Sequence, residues 1–311
     1  MNIVIAGAAG HIGSHLIREL PNNFPNAKFH LIDSFRSQRF CSIFDLPTDV
    51  DYEIYESDVR DLNLKDVITE DSIVINLAAI TDAAGSFGNA KEVEENNFQV
   101  TQSIAEACKN FNAKLISISS TSVYGTQKLV VSEDCSEEEL NPQSPYAETK
   151  LKEEGLLQAM SQSNELQHVT CRFGTIYGPS PGMRFHTAVN KFCWQANFRK
   201  PITVWKTAFN QKRPYLDLSD ASRAISHIIE NNIFDNNIYN VLTENLTVED
   251  VINEIKIFFP DLEIQFVENE IMNQQSYEVC NKKFISTGFI FHGSIKQAIQ
   301  NTFSQISCKI P

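Results

Sequence analysis

Residues 2–20 narrow what this chain can fold into more than any other stretch. Asn2-Ile-Val-Ile-Ala-Gly7 has the apolar run of a buried strand, Ala8-Ala-Gly10-His-Ile-Gly13 forms a glycine-rich turn after it, and Ser14-His-Leu-Ile-Arg-Glu-Leu20 begins a helix. Gly7 permits the tight turn, Gly10 leaves room for a diphosphate to approach the backbone, and Gly13 lets the helix pack closely on the strand. The helix N-terminus would then face the diphosphate with free N–H groups and a partial positive charge. The spacing is G-x-x-G-x-x-G rather than G-x-G-x-x-G, so the glycines by themselves leave a nucleotide site and an ordinary turn both open.

The residues beyond Leu20 decide between them. Lys28-Phe-His-Leu-Ile-Asp33 reads as a second strand beyond a break at Pro21 to Pro25, and Asp33 stands twenty residues past Gly13, where a carboxylate can accept both hydroxyls of an adenosine ribose. Such a carboxylate repels a 2′-phosphate and so favours NAD over NADP; the bland alternative is a solvated strand-end aspartate, and Arg36 and Arg39 keep an NADP reading open. Tyr52 to Asp58 alternates as a third strand, with Asp58 at its end placed to meet an adenine amino group and Asp61 placed to cap a short helix around Leu64 to Ile68. Ser72-Ile-Val-Ile-Asn-Leu-Ala-Ala79 is a continuous apolar run, as in a strand buried on both faces of a parallel sheet, and Ala78 and Ala79 are small enough for a cofactor to lie close. A long helix over 89–110 contains Asn97, which either braces the backbone from a buried position or faces solvent.

The strand 113–119 ends in hydroxyls, Ser119, Ser120, Thr121 and Ser122, and Pro145 starts a helix that puts Tyr146 and Lys150 four apart on one face. A protonated lysine beside a phenol favours the phenolate and is expected to lower its pKa towards working pH. A tyrosine so tuned can exchange a proton with a carbinol oxygen while hydride leaves for a nicotinamide, with a serine hydroxyl fixing the same oxygen. Alone, Y-x-x-x-K occurs by chance in many helices; it gains meaning here from its order after the glycine turn, the strand-end acid and the hydroxyl cluster. A further strand spans 168–173, after which alternation weakens: residues 180–213 are expected on irregular or short elements, followed by a strand at 213–220, a helix at 221–229, a strand at 238–242, a helix at 248–259, a strand at 261–267 and a terminal helix at 295–303.

Composition limits the partners. The 311 residues can bury a sizeable core, as one large or two unequal domains, and 42% hydrophobic with 21% charged residues is ordinary for a soluble globular chain. A net charge of −13 with no lysine/arginine block argues against nucleic acid or an anionic membrane surface as the main partner, while a local basic pocket can still hold an anion. Seven scattered cysteines without C-x-x-C read as reduced thiols in a cytoplasmic protein, and the dispersed histidines give no metal-ligand spacing, so no metal is expected. Met1 runs straight into the first strand, which leaves no room for a signal peptide, and no apolar run approaches the roughly 20 residues of a membrane span.

With these residues together, the chain resembles the extended short-chain dehydrogenase/reductases, specifically the NAD-dependent sugar epimerase/dehydratase family, over nearly its whole length. The resemblance is carried by Gly7-Ala-Ala-Gly-His-Ile-Gly13, Asp33, Asp58-Val-Arg-Asp61, Asn76-Leu-Ala-Ala79, Asn97-Phe-Gln-Val-Thr101, Ser119-Ser-Thr-Ser-Val-Tyr-Gly125, Ser144-Pro-Tyr-Ala-Glu-Thr-Lys150 and Arg172-Phe-Gly-Thr-Ile-Tyr-Gly-Pro179. Later echoes are Gln211-Lys-Arg-Pro-Tyr215, Asp220 and Lys283 to Phe289. It implies an α/β fold, a Rossmann-type doubly wound parallel sheet with a smaller C-terminal substrate-binding lobe. Residues 1–173, with 214–243 crossing back, would hold NAD; 174–213 and 244–311 would form the lobe. It implies Ser120, Tyr146 and Lys150 as catalytic residues. Gly7, Gly10, His11, Ile12, Gly13, Asp33, Asp58, Val59, Leu77, Ala78, Ala79 and Asn97 would bind the cofactor, together with Tyr146 and Lys150. Thr121, Thr175, Arg184 and Arg213 would bind substrate, Arg213 at its diphosphate, although a surface arginine is the plain alternative.

Departures bear on subtype. Ala6 replaces the family's usual threonine, and Thr121 and Ser122 stand where its dehydratases carry an acid, which argues against 4,6-dehydration and against decarboxylation. Thr175 occupies a place where many epimerases have asparagine, Thr207 to Gln211 lacks the usual glycines, and no arginine appears near Gln274 to Tyr277. The expectation is an NAD-dependent nucleotide-sugar 4-epimerase working through a transient 4-keto sugar. The alternatives are an NAD(P)-dependent sugar dehydrogenase or 4-keto reductase, and a non-catalytic dinucleotide sensor. A homodimer pairing the helices of Asn97 and Tyr146 is the expected assembly.

Overall fold

The computed structural model describes residues 1–81, 85–125, 129–162, 166–268 and 276–306. In chain order the first half runs β1 (Asn2–Ala6), α1 (His11–Asn23), β2 (Lys28–Asp33), β3 (Asp51–Glu56), β4 (Ser72–Asn76), α2 (Ala90–Phe111), β5 (Lys114–Ser120), the two-residue β6 (Val130–Val131), α3 (Pro145–Gln162) and β7 (Gln167–Phe173). The second half runs β8 (Thr175–Tyr177), α4 (Ala188–Asn197), β9 (Ile202–Trp205), β10 (Arg213–Asp217), α5 (Leu218–Glu230), β11 (Ile238–Val241), β12 (Glu244–Leu246), α6 (Val248–Lys256), β13 (Ile264–Val267), β14 (Glu278–Val279), α7 (Lys282–Ile285) and α8 (Ile295–Ile306).

Seven strands form one parallel sheet in the order β11-β7-β5-β4-β1-β2-β3. Side chains of β1 alternate between its faces: Ile3 and Ile5 pack with α1 and α5, Val4 and Ala6 with α2 and α3. Both faces are therefore covered, which is why β1 and β4 read as unbroken apolar runs. The order reverses direction between β1 and β4, so the crevice beyond their carboxyl ends is where such a sheet binds ligands. This is the Rossmann-type α/β architecture expected from the sequence.

A second apolar core lies outside this sheet, built from α4, α6 and α8 with β8, β9 and β10. It accompanies a three-stranded sheet, β12-β10-β8, and the pair β13-β9. The chain returns to the large sheet through α5, which packs on α1, and β11, while Arg213–Asp217 joins the three-stranded sheet instead. Among the described residues no helix is long and apolar enough to cross a membrane.

Several expectations need correction. Pro21 does not break α1, which runs on to Asn23. The acceptor that Pro21 cannot serve, the Ile17 carbonyl, takes the Tyr52 hydroxyl at 2.5 Å instead. Asn63, not Asp61, holds the cap position of the short 3₁₀ turn Leu64–Asp66, and its side chain donates to Asp66. Asp58 lies two residues beyond β3 rather than at its end. The stretch 180–213, expected on irregular or short elements, carries the ten-residue α4 and the four-residue β9.

Candidate active site

The glycine turn is held by contacts no larger residues would allow. Gly7 sits at φ +83°, where a Cβ would come within 2.7 Å of the Leu77 backbone, and a Cβ on Gly13 would come within 2.3 Å of the Gly7 carbonyl. Gly10 precedes α1 without any side-chain cap, so the first N–H groups of the helix are not closed off by the chain's own capping oxygen. His11 is buried at that helix start, and its Nε2–H donates to the Gly178 carbonyl at 2.7 Å, which fixes the tautomer. Burial pushes its pKa down to about 4, so the ring is neutral at ordinary pH.

Asp33 is not a free strand-end acid. Its Oδ2 accepts the Ala9 N–H at 2.9 Å and its Oδ1 the Phe35 N–H at 2.8 Å, tying the glycine turn to the end of β2. Each oxygen keeps a second lone-pair direction for a hydroxyl donor. Arg36 pairs with Glu92, and Asp58 is held by the Arg60 guanidinium at 2.7 and 2.8 Å, which keeps its carboxyl below the usual range. Val59 is buried beside it. Leu77 N donates to the Ala6 carbonyl, and Leu77 and Ala79 with Ile12 line a cavity at the carboxyl ends of the strands, while Ala78 packs against the α2–α3 side of the sheet. Asn97 is buried in α2 with both ends of its amide on Ile80: Oδ1 accepts the N–H at 2.8 Å and Nδ2 donates to the carbonyl at 2.9 Å. Of the two readings open in the sequence, the geometry is that of the backbone brace.

The cavity has a volume of about 450 Å³, which suits a small ligand. Ser120 ends β5 and caps the turn Thr121–Val123, its Oγ accepting the Ser122 N–H at 3.1 Å and the Ser122 hydroxyl at 2.8 Å. With both lone pairs so used, the Ser120 hydroxyl is left to donate. Ser144 caps the start of α3 by accepting the Ala147 N–H, and the next two turns carry Tyr146 and Lys150 to the same cavity. Lys150 is buried, and its Nζ donates to Glu153 Oε2 at 2.9 Å. Burial works against its charge, but Glu153 and the Tyr146 phenol outweigh this and hold the ammonium above the usual lysine range.

The Tyr146 phenol departs from expectation. Lys150 does pull its pKa down, helped by Arg184 and a hydrogen bond with Ser120, yet burial pushes it up further and Glu153 adds to the rise. The net direction is upward, because burial of the phenol outweighs the pull of the Lys150 charge, with Glu153 adding to the rise.

The remaining candidates surround the same space. The Thr121 hydroxyl donates to the Phe173 carbonyl at 3.2 Å, Thr175 pairs with Tyr215 across β8 and β10, and both line the cavity. Arg184 lies close enough to act electrostatically on Tyr146 and His11. Arg213 lines the cavity with its guanidinium over the Tyr277 ring, 5.5 Å from its centroid, rather than on the surface. The charged side chains lining the cavity among the described residues are Lys150, Arg184, Lys191 and Arg213; no carboxylate lines it. Of the stretch Gln274 to Tyr277, residues 274 and 275 lie outside the described residues, while Tyr277 donates to the Thr121 carbonyl at 3.1 Å. Among the described residues no group of three metal-ligating side chains gathers.

Behind the site a buried network fixes the helix. Arg172 spans Glu154 at 2.6 and 2.9 Å and donates to Tyr124 Oη at 2.8 Å, and Tyr124 donates to Asn240. Thr101, Ser122 and Gly178, the partner of His11, fall inside the sequence motifs without their bonding partners being legible there, and Glu153 is signalled only by its i, i+3 spacing from Lys150.

A family model described as the NAD-dependent epimerase/dehydratase family matches residues 3–241. The chain belongs to the NAD-dependent epimerase/dehydratase family. Within this family it is 30% identical over 319 residues to a trifunctional UDP-glucose 4,6-dehydratase/UDP-4-keto-6-deoxy-D-glucose 3,5-epimerase/UDP-4-keto-L-rhamnose-reductase of Arabidopsis thaliana, a match covering 97% of this chain and 46% of that one. The chain thus spans about half the length of that relative. It is also 30% identical to an uncharacterized UDP-glucose epimerase of Bacillus subtilis, over 74% of this chain and 72% of the other. Among solved structures, UDP-glucuronic acid 4-epimerase from Bacillus cereus in complex with UDP-glucuronic acid and NAD is similar with a TM-score of 0.87 and 26% identity, covering 98% of both chains. An epimerase/dehydratase of this family is an NAD-dependent enzyme, and the residues here fit that cofactor: an uncapped helix start, a glycine turn that Cβ atoms would fill, and the Asp33 carboxylate at the end of β2.

Proposed function

We propose that the chain is an NAD-dependent nucleotide-sugar 4-epimerase with Tyr146 as acid/base, Ser120 as orienting donor and Lys150 as their electrostatic partner. The observation that carries this reading is the charge of the cavity: four cations, Lys150, Arg184, Lys191 and Arg213, and no carboxylate among its described lining residues. Dehydration of a 4-keto sugar needs an acid beside the reacting carbons, and here Thr121 and Ser122 follow Ser120. Epimerisation needs only one group that takes the proton from a sugar hydroxyl and gives it back. In this reading the Ser120 hydroxyl donates to the sugar's O4, the Tyr146 oxygen accepts the O4 proton, and a 4-keto sugar results. The chemistry NAD supplies is a reversible hydride acceptor at C4. After the keto sugar turns over in the pocket, Tyr146 returns the proton to the oxygen of the inverted carbon.

In the cofactor half, Gly7, Gly10, Gly13 and the N–H groups of His11 and Ile12 would hold the diphosphate and Asp33 the adenosine ribose. Asp58 and Val59 would hold the adenine, and Leu77 to Ala79, backed by Asn97, would flank the nicotinamide end. Thr121, Thr175 and Arg184 would hold the sugar, and Arg213 the substrate diphosphate beside the start of α4. Residues 1–173 with the returning α5 and β11 form the cofactor part and the remainder the substrate part. We place the protein in the cytoplasm, on its reduced thiols, as a homodimer joined through α2 and α3.

Arg184 and Lys191 line the cavity beside Lys150 and Arg213, and this surplus of cations puts a sugar with its own anionic group first among substrates; UDP-glucuronic acid should turn over ahead of UDP-glucose. Incubation with each, followed by NMR of the sugar and by NADH absorbance, tests the reading. The C4 epimer should form with no lasting NADH. Stoichiometric NADH would identify a dehydrogenase, and a 4-keto-6-deoxy product a dehydratase.

A further inference from the structure

One turn beyond Lys150 on α3 lies a carboxylate that the epimerase reading leaves unused. Glu153 is 2% exposed, and its Oε2 accepts the Lys150 ammonium at 2.9 Å and the Thr101 hydroxyl at 2.9 Å. Among the described residues no donor reaches its other oxygen. Thr101 in turn accepts from Asn76 Nδ2 at 3.1 Å, and Asn76 Oδ1 accepts the Ala78 N–H at 3.2 Å. The carboxylate is thus fastened to α2 and to the loop leaving β4, and not to solvent. Its neighbour Glu154 is committed elsewhere, to Arg172 and Ser119. A buried ion with a spare acceptor is costly, and an apolar side chain would pack the α2–α3 contact as well. Packing is therefore not what Glu153 supplies.

Its position suggests what it does supply. Tyr146, Lys150 and Glu153 stand at i, i+4 and i+7, one stripe along the helix with the ammonium in the middle. We propose that Glu153 is a positioning residue of the active site, anchoring the Lys150 ammonium at a fixed point between itself and the Tyr146 phenol and so setting how much positive charge the phenol feels. This rests on the reading of Tyr146 and Lys150 as the reacting pair. The charged groups that bear on the pair are Glu153 and Glu154 from α3 itself and Arg184 from across the cavity; α2 contributes the neutral Thr101 and the end of β5 the neutral Ser120.

The test is the pH dependence of kcat and KM in the full chain for wild type, Tyr146→Phe, Glu153→Gln and Glu153→Asp, with whichever UDP sugar turns over. Glutamine keeps an acceptor for Lys150 and Thr101 but removes the charge opposing the phenolate. Glu153→Gln should move the acid limb of kcat to lower pH by about half a unit or more, with KM changed by less than about twofold. Glu153→Asp keeps the charge but withdraws it by one methylene, and should lower kcat by about tenfold at unchanged KM. An acid limb that stays in place or moves up in Glu153→Gln overturns the proposal. Should that variant not fold, Glu153→Asp decides: wild-type kcat and pH profile overturn the proposal. Turnover surviving in Tyr146→Phe overturns instead the reading of the reacting pair, and this inference with it.

Discussion

Both oxygens of Asp33 accept backbone N–H groups, from Ala9 and Phe35, so the residue that marks the cofactor in the sequence also holds the glycine turn in shape. Asn97 has the same double character, because the Ile80 backbone it braces comes directly after Leu77 to Ala79. Asn97→Ala leaves the partly buried Ile80 N–H and C=O without the partners they have in wild type, at a cost of about 2 kcal/mol in unfolding free energy. Urea denaturation should show that loss together with weaker NAD binding; a variant as stable as wild type contradicts the brace. Tyr146 illustrates where residue-level reasoning from sequence stops. The i+4 lysine is legible, but the burial and the Glu153 carboxylate that outweigh it depend on how α3 docks on α2.

At the scale of elements, legibility tracks period and length. Lys28–Asp33 and Lys114–Ser120 are six- and seven-residue strands of a sheet covered on both faces, and the sequence places them within a residue. Helix α4 carries a usable signal, Val189, Phe192, Cys193 and Ala196 at i, i+3, i+4 and i+7, but the exposed Trp194 and the lack of a side-chain cap obscure it. Strands β6 and β14 are two residues each, too short to have a period at all. Pro21 misleads because its compensation, the Tyr52 hydroxyl, comes from another element. Helix α5 offers a test through its cap. Asp217 Oδ1 accepts the Ser219 N–H at 2.8 Å, and burial, with Asp220 and Glu244 adding, pushes its carboxyl up to about 6. A carboxyl raised in the folded state favours the protonated form there. Its stabilising contribution is therefore complete below the ordinary aspartate pKa and is lost as pH rises through about 6. An asparagine in its place would keep the cap without the charge. The gain in unfolding free energy for Asp217→Asn should grow from near zero at about pH 4 to about 2 kcal/mol at about pH 8. A difference that does not vary with pH contradicts the assignment.

Across the whole molecule, a chain of net charge −13 concentrates Lys150, Arg184, Lys191 and Arg213 on one cavity between its two apolar cores. Overall charge argues against nucleic acid and gives no hint of this basic interior, which only the folding together of α3, α4 and β10 with the loop before α4 creates. Local concentration of positive charge against an acidic exterior draws an anionic ligand to one place. The measurement that bears most directly on the proposed chemistry traces the hydrogen at C4. Using a UDP sugar deuterated at C4, the account predicts an epimer of inverted configuration that retains its deuterium at C4, with none acquired from deuterated water in the converse experiment. Deuterium lost to solvent, moved to C6 or held in accumulating reduced cofactor would contradict it.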